Sequence, residues 1–516
     1  MHPLLVQALR RFALVHDHEV VPLANSFACL FCLLASYFIV VPLREDAGLS
    51  LGMDALPKLF TASLIGVLVL TPLASSFLAR PGLNREASLR QFYAVLATVL
   101  LGFYVVYYAS SLETAKMFPG LDRSSKEAPP APMTVKGGDP SLDAFQRAVR
   151  AAFYVFLNVQ NLVAISAAWA RCADVFAPEA AARLFGVVSA GATVGQLAGS
   201  LVTAGVAGAR VGTPASGPLY GLVLASALLM YGAAFFAAKV QRPAARRLAD
   251  PPGAVAGDAA GHPGSAALDK DAPSGGATAH VAQLLQGFTM IARSPYLLMV
   301  CGYLMMTYIV GSLMYFQRSL VVATAVADSN ARAAFFARLH SASAAAIICL
   351  QLTATGRLLR SAGVMFALAV FPCACAVLVA AVGWRPDTGV VALGEVARKL
   401  LGYVLVRPAR EVLFTAVSRE EKYRAKLTID AVVQRLGDSL AALLFEVLDV
   451  RLQLGQHGVA AAGVAACMLW LYWSVQLGAQ HTALTSGAGS VSVAQERRDF
   501  GGQEQAGPTA ALTGRV

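Results

Sequence analysis

Charge is what this sequence is short of. Asp, Glu, Lys and Arg together make up 14% of its 516 residues, against about 25% in an ordinary soluble domain. So long a chain with so little charge does not read as a string of water-soluble domains. Familiar soluble chemistries are missing as well. There is no Gly-x4-Gly-Lys-Ser/Thr loop, which excludes ATP hydrolysis by a P-loop and argues against an ATP-driven pump. Neither His-Glu-x-x-His nor a pair of Cys-x-x-Cys knuckles occurs, so no metal site is expected. With no nucleophile–base constellation in view, neither an enzyme nor a bound cofactor is expected. The eight cysteines lie in or beside apolar runs, and Cys29-x-x-Cys32 reads as two small buried apolar residues on one helix face.

What fills the space is apolar. Hydrophobic residues reach 57%, and runs long enough to span a bilayer, about 20 residues each, recur along the chain. They fall at 22–43, 57–79, 91–112, 149–170, 185–207 and 217–239, then at 297–317, 336–357, 364–383, 389–406, 429–448 and 458–478. The pattern predicts an all-α polytopic membrane protein with twelve transmembrane helices in two six-helix bundles. Residues 1–20 form an N-terminal segment too short and mixed for a cleaved signal peptide, so the first span is expected to be retained. The two bundles are placed at 21–239 and 291–478. Residues 240–290 between them are rich in Gly, Ala, Pro, Ser and Asp and read as a flexible linker. Residues 479–516 read as a disordered tail.

Lys and Arg concentrate in the loops on the side that carries both termini, which places both termini on the cytoplasmic side. The net charge of +11 is explained by that bias and does not call for nucleic acid as a partner. Plastid envelope and plasma membrane both stay open. An internal repeat supports the six-plus-six plan: Glu179, Arg183 and Ala190 recur as Glu420, Arg424 and Ala431, and Ser36-Tyr37 as Thr307-Tyr308. Such repeats suggest two halves related about an axis along the membrane normal.

A few charges stand inside the apolar runs, where each is costly unless it faces a partner or a water-filled cavity. The tenth run holds Glu395, Arg398 and Lys399, and the eleventh holds Arg435 and Asp438. A site that is cationic on balance suits an anionic small molecule, because Arg offers a planar fork and Lys a point charge to phosphate or carboxylate. Arg398, Lys399 and Arg435 are the candidate anion contacts. Asn158 and Gln160 in the fourth run would hydrogen-bond the polar body of the substrate. Asp438 or Glu395 would pair an arginine when the site is empty. Arg44, just before Glu45-Asp46, and Lys58 are read as interfacial residues at the ends of the first two spans, with a cationic cavity mouth as the alternative. At the cytoplasmic turns, Arg171, Asp174, Glu179 and Arg183 and their counterparts Arg410, Glu411, Glu420 and Arg424 are read as gate or packing charges.

Two loops, Gly356-Arg-Leu-Leu-Arg360-Ser-Ala-Gly363 and Ser76-Phe-Leu-Ala-Arg80-Pro-Gly82, resemble the cytoplasmic loop motif of the major facilitator superfamily without its Asp. The runs SYFIVVPLRED, AAWARCADVFAPEAAARLFG and RKLLGYVLVRPAREVLFTAVSREEKYRAKLTID resemble the ATP/ADP translocase family and its bacterial exchange-transporter relatives. That resemblance implies a major facilitator-like fold and an antiporter exchanging ATP for ADP. The chain departs from the nucleotide exchangers at three places. Asn158 stands where they carry an acid, Arg44-Glu45-Asp46 lacks their lysine beside the arginine, and Arg435 replaces a lysine.

The expected function is secondary transport of nucleotides or a related organic anion by alternating access, by a protein that works as a monomer in lipid. Two rivals are kept open. One is a proton-coupled permease for another organic anion, with Glu395 or Asp438 as proton carrier. The other is a non-transporting membrane scaffold on the same fold.

Overall fold

A computed structural model describes residues 15–78, 84–117, 137–140, 142–176, 178–211, 218–241, 289–353, 355–414 and 429–503. The regular structure among them is helical. In the first half α1 spans Val20–Ser50, α2 Leu56–Leu78, α3 Arg85–Met117, α4 Ala144–Val175, α5 Pro178–Gly208 and α6 Pro218–Ala237. In the second, α7 spans Pro295–Ala325, α8 Ser329–Thr353, α9 Thr355–Trp384 and α12 Gly455–Gln503. These ten include every described helix long and apolar enough to cross a membrane. Two more continuous helical segments, α10 (388–413) and α11 (429–451), carry the intramembrane charges. In α10, Thr388–Leu401 and Arg407–Leu413 are α-helical around a π-helical turn at Gly402–Val406. In α11 the α-helical Gln434–Phe445 lies between π-helical turns at Ile429–Val433 and Glu446–Arg451. π turns inside helices are rare and concentrate at functional sites.

Local chemistry sets several helix starts. Asp143 accepts the Gln146 backbone N–H at 2.7 Å while the Gln146 side chain reaches back to the Asp143 N–H, closing a capping box at α4. Ser294 caps α7 with Pro295 in its first turn, and Asp387 caps α10 by accepting from Gly389 at 2.9 Å. Helix α1 continues past the expected end at 43 to Ser50, where Gly52 (φ 96°) turns the chain. Helix α12 runs to Gln503, so the expected disordered tail is helical over 479–503. No proline interrupts the sequence from Gly455 to Gln503, and its final turns hold helix formers such as Ala494, Gln495, Glu496 and Arg497. The expected linker at 240–290 falls almost wholly outside the described residues.

The two halves repeat one packing plan. In the first, α1 packs on α5 and α6, α3 on α6, and α2 on α4; in the second, α7 packs on α11 and α12, α9 on α12, and α8 on α10. Each half has its own apolar core. Large apolar side chains point outward, among them Ile65, Val69 and Leu73 on α2 and Met468 and Tyr472 on α12. Charges such as Glu45 and Arg318 are buried inside. That inversion of the soluble pattern is what lipid as solvent demands.

Small residues let α1 and α5 touch. A Cβ on Gly191 would lie 2.6 Å from the Phe27 carbonyl oxygen, and one on Gly199 2.5 Å from that of Ala35; Gly195 meets Phe31 in the same way. The halves meet through α5 with α8, α1 with α8 and α2 with α11. Their shared apolar cluster brings Leu49, Met53, Leu56 and Leu59 against Phe316, Val322, Phe336 and Phe445. All of these sit at the end of the bundle opposite the start of α1, called the far end below.

Candidate functional site

Just beneath that apolar seal lies a chain of buried charges crossing from one half to the other. It starts on the last turns of α1. The Arg44 guanidinium donates through Nη1 to Asn158 Oδ1 (2.7 Å) and the Tyr37 hydroxyl (3.1 Å), and lies over the Tyr154 ring. Glu45 Oε1 is the hub: Arg318 Nη2 stands 3.1 Å away, His340 Nε2 3.4 Å and Arg44 Nη2 3.5 Å. Arg318, on α7, also reaches Glu395 Oε1 at 3.5 Å. On α10, Glu395 takes two hydrogen bonds from Arg398 (2.9 and 3.1 Å) and pairs with Lys399 at 3.3 Å. Lys399 Nζ then stands 3.0 Å from His340 Nδ1. An ammonium has only donors, so His340 accepts at Nδ1 and carries its proton on Nε2, facing Glu45.

With His340 neutral, four cations (Arg44, Arg318, Arg398, Lys399) share two carboxylates (Glu45, Glu395). Among the described residues, the Nε of Arg44 and the Nε of Arg318 have no acceptor. Beside this excess, Asp46 makes a second link between the halves that balances itself: it accepts from Ser329 at 2.5 Å and pairs with Arg332 at 2.6 Å, both on α8.

These contacts correct the first-span reading. Arg44, Glu45 and Asp46 do not snorkel at an interface; they are 8%, 3% and 7% exposed. The helix carries on through them because α4, α7 and α8 supply partners that hydropathy cannot see. Lys58 is exposed at the start of α2. Arg398, Lys399 and Glu395 are brought together with Arg44 through Glu45 and Arg318. Arg435 and Asp438 pair with each other at 3.6 Å on α11, and Asp438 accepts from Ser312 of α7 at 2.6 Å. Ser312 follows Gly311, whose α-carbon faces Arg398, so one stretch of α7 borders both groups. Asn158 holds Arg44 and donates to Ser63; Gln160 is buried with its Oε1 unpartnered.

At the opposite end several ties join helices of the first half. Arg171 donates twice to the Val240 carbonyl and once to Glu86, Asp174 pairs with Arg85, and Arg183 pairs with Glu19. Arg410 lies beside Tyr308 of its own half. Glu179 and Glu411 stand on α5 and α10; Glu420 and Arg424 lie outside the described residues. Sequence reasoning missed Arg318, Arg332 and His340. The first two sit at the edges of apolar runs and passed for loop charges. His340, alone in an alanine-rich run, gave no signal beyond being the one histidine there.

No protein-family model matches the sequence, and no curated protein is recognisably similar to it. Solved structures are similar in fold. The nucleoside transporter NupG aligns with a TM-score of 0.52 at 11% identity, over 91% of this chain and 99% of its own. The xylose transporter XylE from E. coli, in an inward-open conformation, gives 0.51 at 13% identity, over 87% and 95%. The human organic anion transporter MFSD10 gives 0.51 at 14% identity, over 89% and 100%. At such identities the likeness speaks for architecture alone, and the repeated packing plan and membrane-spanning helices agree with it. The chain is a polytopic membrane protein with the fold of the major facilitator superfamily.

Proposed function

We propose that the protein is a secondary transporter that carries a small organic anion, a nucleotide or a compound like it, by alternating access. The observation that carries this reading is the buried excess of cations where the halves meet. Two uncompensated positive charges in a low-dielectric interior are costly, and a bound anion with two negative charges relieves that cost. Arg398 and Lys399, 24% and 17% exposed at their side chains, are the groups that reach it. Arg44 meets it from the first half, held ready by Asn158. The Arg435–Asp438 pair borders the same stretch of α7.

The distribution of ties supports the alternating mechanism. Polar links between the halves gather at the far end, where Glu45 meets Arg318 and Asp46 meets Ser329 and Arg332. The arrangement fits a state closed at the far end. Residues 240–290 then serve as the tether between two moving bodies, with both termini on the cytoplasmic side. Exchange of ATP for ADP is the finer form of the proposal, and Asn158, Arg44 and Arg435 are where this chain differs from what such exchange implies.

Counterflow in proteoliposomes loaded with ADP, ATP or a panel of dicarboxylates and phosphate esters tests the reading. Uptake stimulated by an internal anion, and abolished in the double variant Arg398→Ala/Lys399→Ala, supports it. Uptake that follows an imposed pH gradient with no internal anion supports the proton-coupled permease instead. No uptake of any anion by folded protein refutes transport of this class.

A further inference from the structure

His340 is a buried titratable side chain of the charge cluster that the anion reading leaves without a task. It lies on α8, 5% exposed, with the Phe38 ring of α1 edge-on to it at 5.5 Å. Its two ring nitrogens face opposite charges. Nδ1 accepts from Lys399 Nζ at 3.0 Å, and Nε2 stands 3.4 Å from Glu45 Oε1 of the other half. The neighbouring helices set the rest of its surroundings. From α1 comes Glu45 with Arg44 beside it, and from α7 comes Arg318 on the same carboxylate. From α10 comes Lys399, itself tied to Glu395, which also holds Arg398. The charged residues of α5 are Glu179 and Arg183, and Arg183 is held by Glu19 at the opposite end. Between 363 and 384, α9 carries only the thiols Cys373 and Cys375. On α8 itself, Arg332 is paired with Asp46, and Arg338 points toward Gly208 of α5.

An imidazole nitrogen that accepts a hydrogen bond cannot hold a proton at the same time. Lys399 on Nδ1 therefore keeps His340 neutral, and a proton on Nδ1 requires Lys399 to leave. Lys399, partly exposed, is one of the two groups that reach a bound anion. An anion that draws the ammonium toward itself vacates Nδ1. Net charge acts in the same direction. The empty cluster already holds two more cations than carboxylates, so a further positive charge is costly there until an anion arrives. A protonated ring also faces Glu45 across the halves with a full charge, which tightens the tie at the far end.

We propose that His340 is a proton site loaded together with the anion: Lys399 passes from Nδ1 to the anion, and a proton takes the vacated nitrogen. The proton comes from water at the exposed parts of Arg398 and Lys399 and returns there when the anion leaves. It rides with the anion in both directions, so exchange still needs an anion on the inside. The inference rests on the anion site proposed above. It places the proton on neither Glu395 nor Asp438, each of which keeps an arginine as partner.

Isothermal titration calorimetry on the full chain in nanodiscs tests the coupling. The anions are fumarate, which does not titrate near neutral pH, and ADP, whose own protonation is subtracted. Repeating each titration in two buffers of different ionisation enthalpy counts the protons taken up per anion bound. The native chain should take up about one proton per anion near pH 6. Its affinity should rise as pH falls from about 8 to about 6, by up to about tenfold per unit. His340→Gln keeps an acceptor for Lys399 and a donor for Glu45 but cannot be protonated. It should bring the fumarate count to near zero and flatten the pH dependence. Anion binding by the native chain with no proton uptake overturns the coupling and leaves the anion site standing. A count that survives His340→Gln overturns it too, and Asp438→Asn or Glu395→Gln then locates the proton. Absence of binding by either anion overturns the anion site and this inference with it.

Discussion

Replacing Glu45 with Gln separates the two halves' interaction from each half's own stability. The substitution keeps the shape of the side chain and removes the charge that faces Arg318, His340 and Arg44 at 3.1, 3.4 and 3.5 Å. Breaking a buried ion pair costs about 3–5 kcal/mol. The lower figure applies, because Arg318 keeps Glu395 and Arg44 keeps Asn158 and Tyr37. Since Arg318 and His340 lie in the opposite half, that cost falls on the closed far end. At about 1.4 kcal/mol per decade, 3 kcal/mol shifts the closed–open equilibrium roughly a hundredfold toward open. Alkylation of a cysteine at Leu59, 6% exposed in the seal, reads that shift at peptide resolution by mass spectrometry. Glu395→Gln is the control, since Arg318, Arg398 and Lys399 all belong to its own half. It should change the rate less than about threefold, under 0.7 kcal/mol. Equal rates in Glu45→Gln and the parent, or equal acceleration by both variants, would refute the assignment of Glu45 as the tie between the halves.

Other substitutions probe the site and its frame. Asn158→Asp gives Arg44 an ion-pair partner in place of an amide, and should weaken anion binding about tenfold by competing for the guanidinium, as read by the counterflow KM. Ser312→Ala removes the 2.6 Å hydrogen bond to Asp438 and should lower stability by about 1.5–3 kcal/mol, visible as a thermal shift in detergent. Gly199→Val forces a side chain onto the Ala35 carbonyl and should deplete folded protein in fluorescence-detected gel filtration, an overpacking cost of at least about 1–3 kcal/mol. Gly186→Val, where nothing lies within 4 Å, should leave the elution profile unchanged.

The spans and their division into halves were legible because lipid imposes a simple rule on length and polarity. Hydropathy stops at a charge, however, and so it ended the first span at residue 43. Tertiary partners decide whether a charge ends a helix, and α1 continues because Glu45 and Asp46 meet Arg318 and Arg332, more than 270 residues away. Charges deep inside a run, such as Glu395, Arg398 and Lys399, announced themselves by their cost. Arg318 and His340 did not, since the same residues at a run's edge or alone among alanines carry no such signal. The joining of Arg44 to Asn158 needed three dimensions, as did the use of α7 as the common border of two charged groups.

The π turn at Gly402–Val406 has a consequence for how α10 would tolerate insertion and deletion. A π turn accommodates one residue more than an α turn, and each α-helical residue advances about 100° around the axis. Relative to an uninterrupted helix, Arg407 and Arg410 are therefore turned by that angle about the axis, which brings Arg407 onto the face that carries Glu395 and Lys399. Deleting a single residue between 402 and 406 would let an α turn close in its place and leave both arginines pointing as they do, whereas relaxing the π turn to an α turn with every residue kept would swing them by about 100°. The π turn thus acts as a latch: its conversion to an α turn, with no change in sequence, would turn the charges of the helix's final turns about the axis.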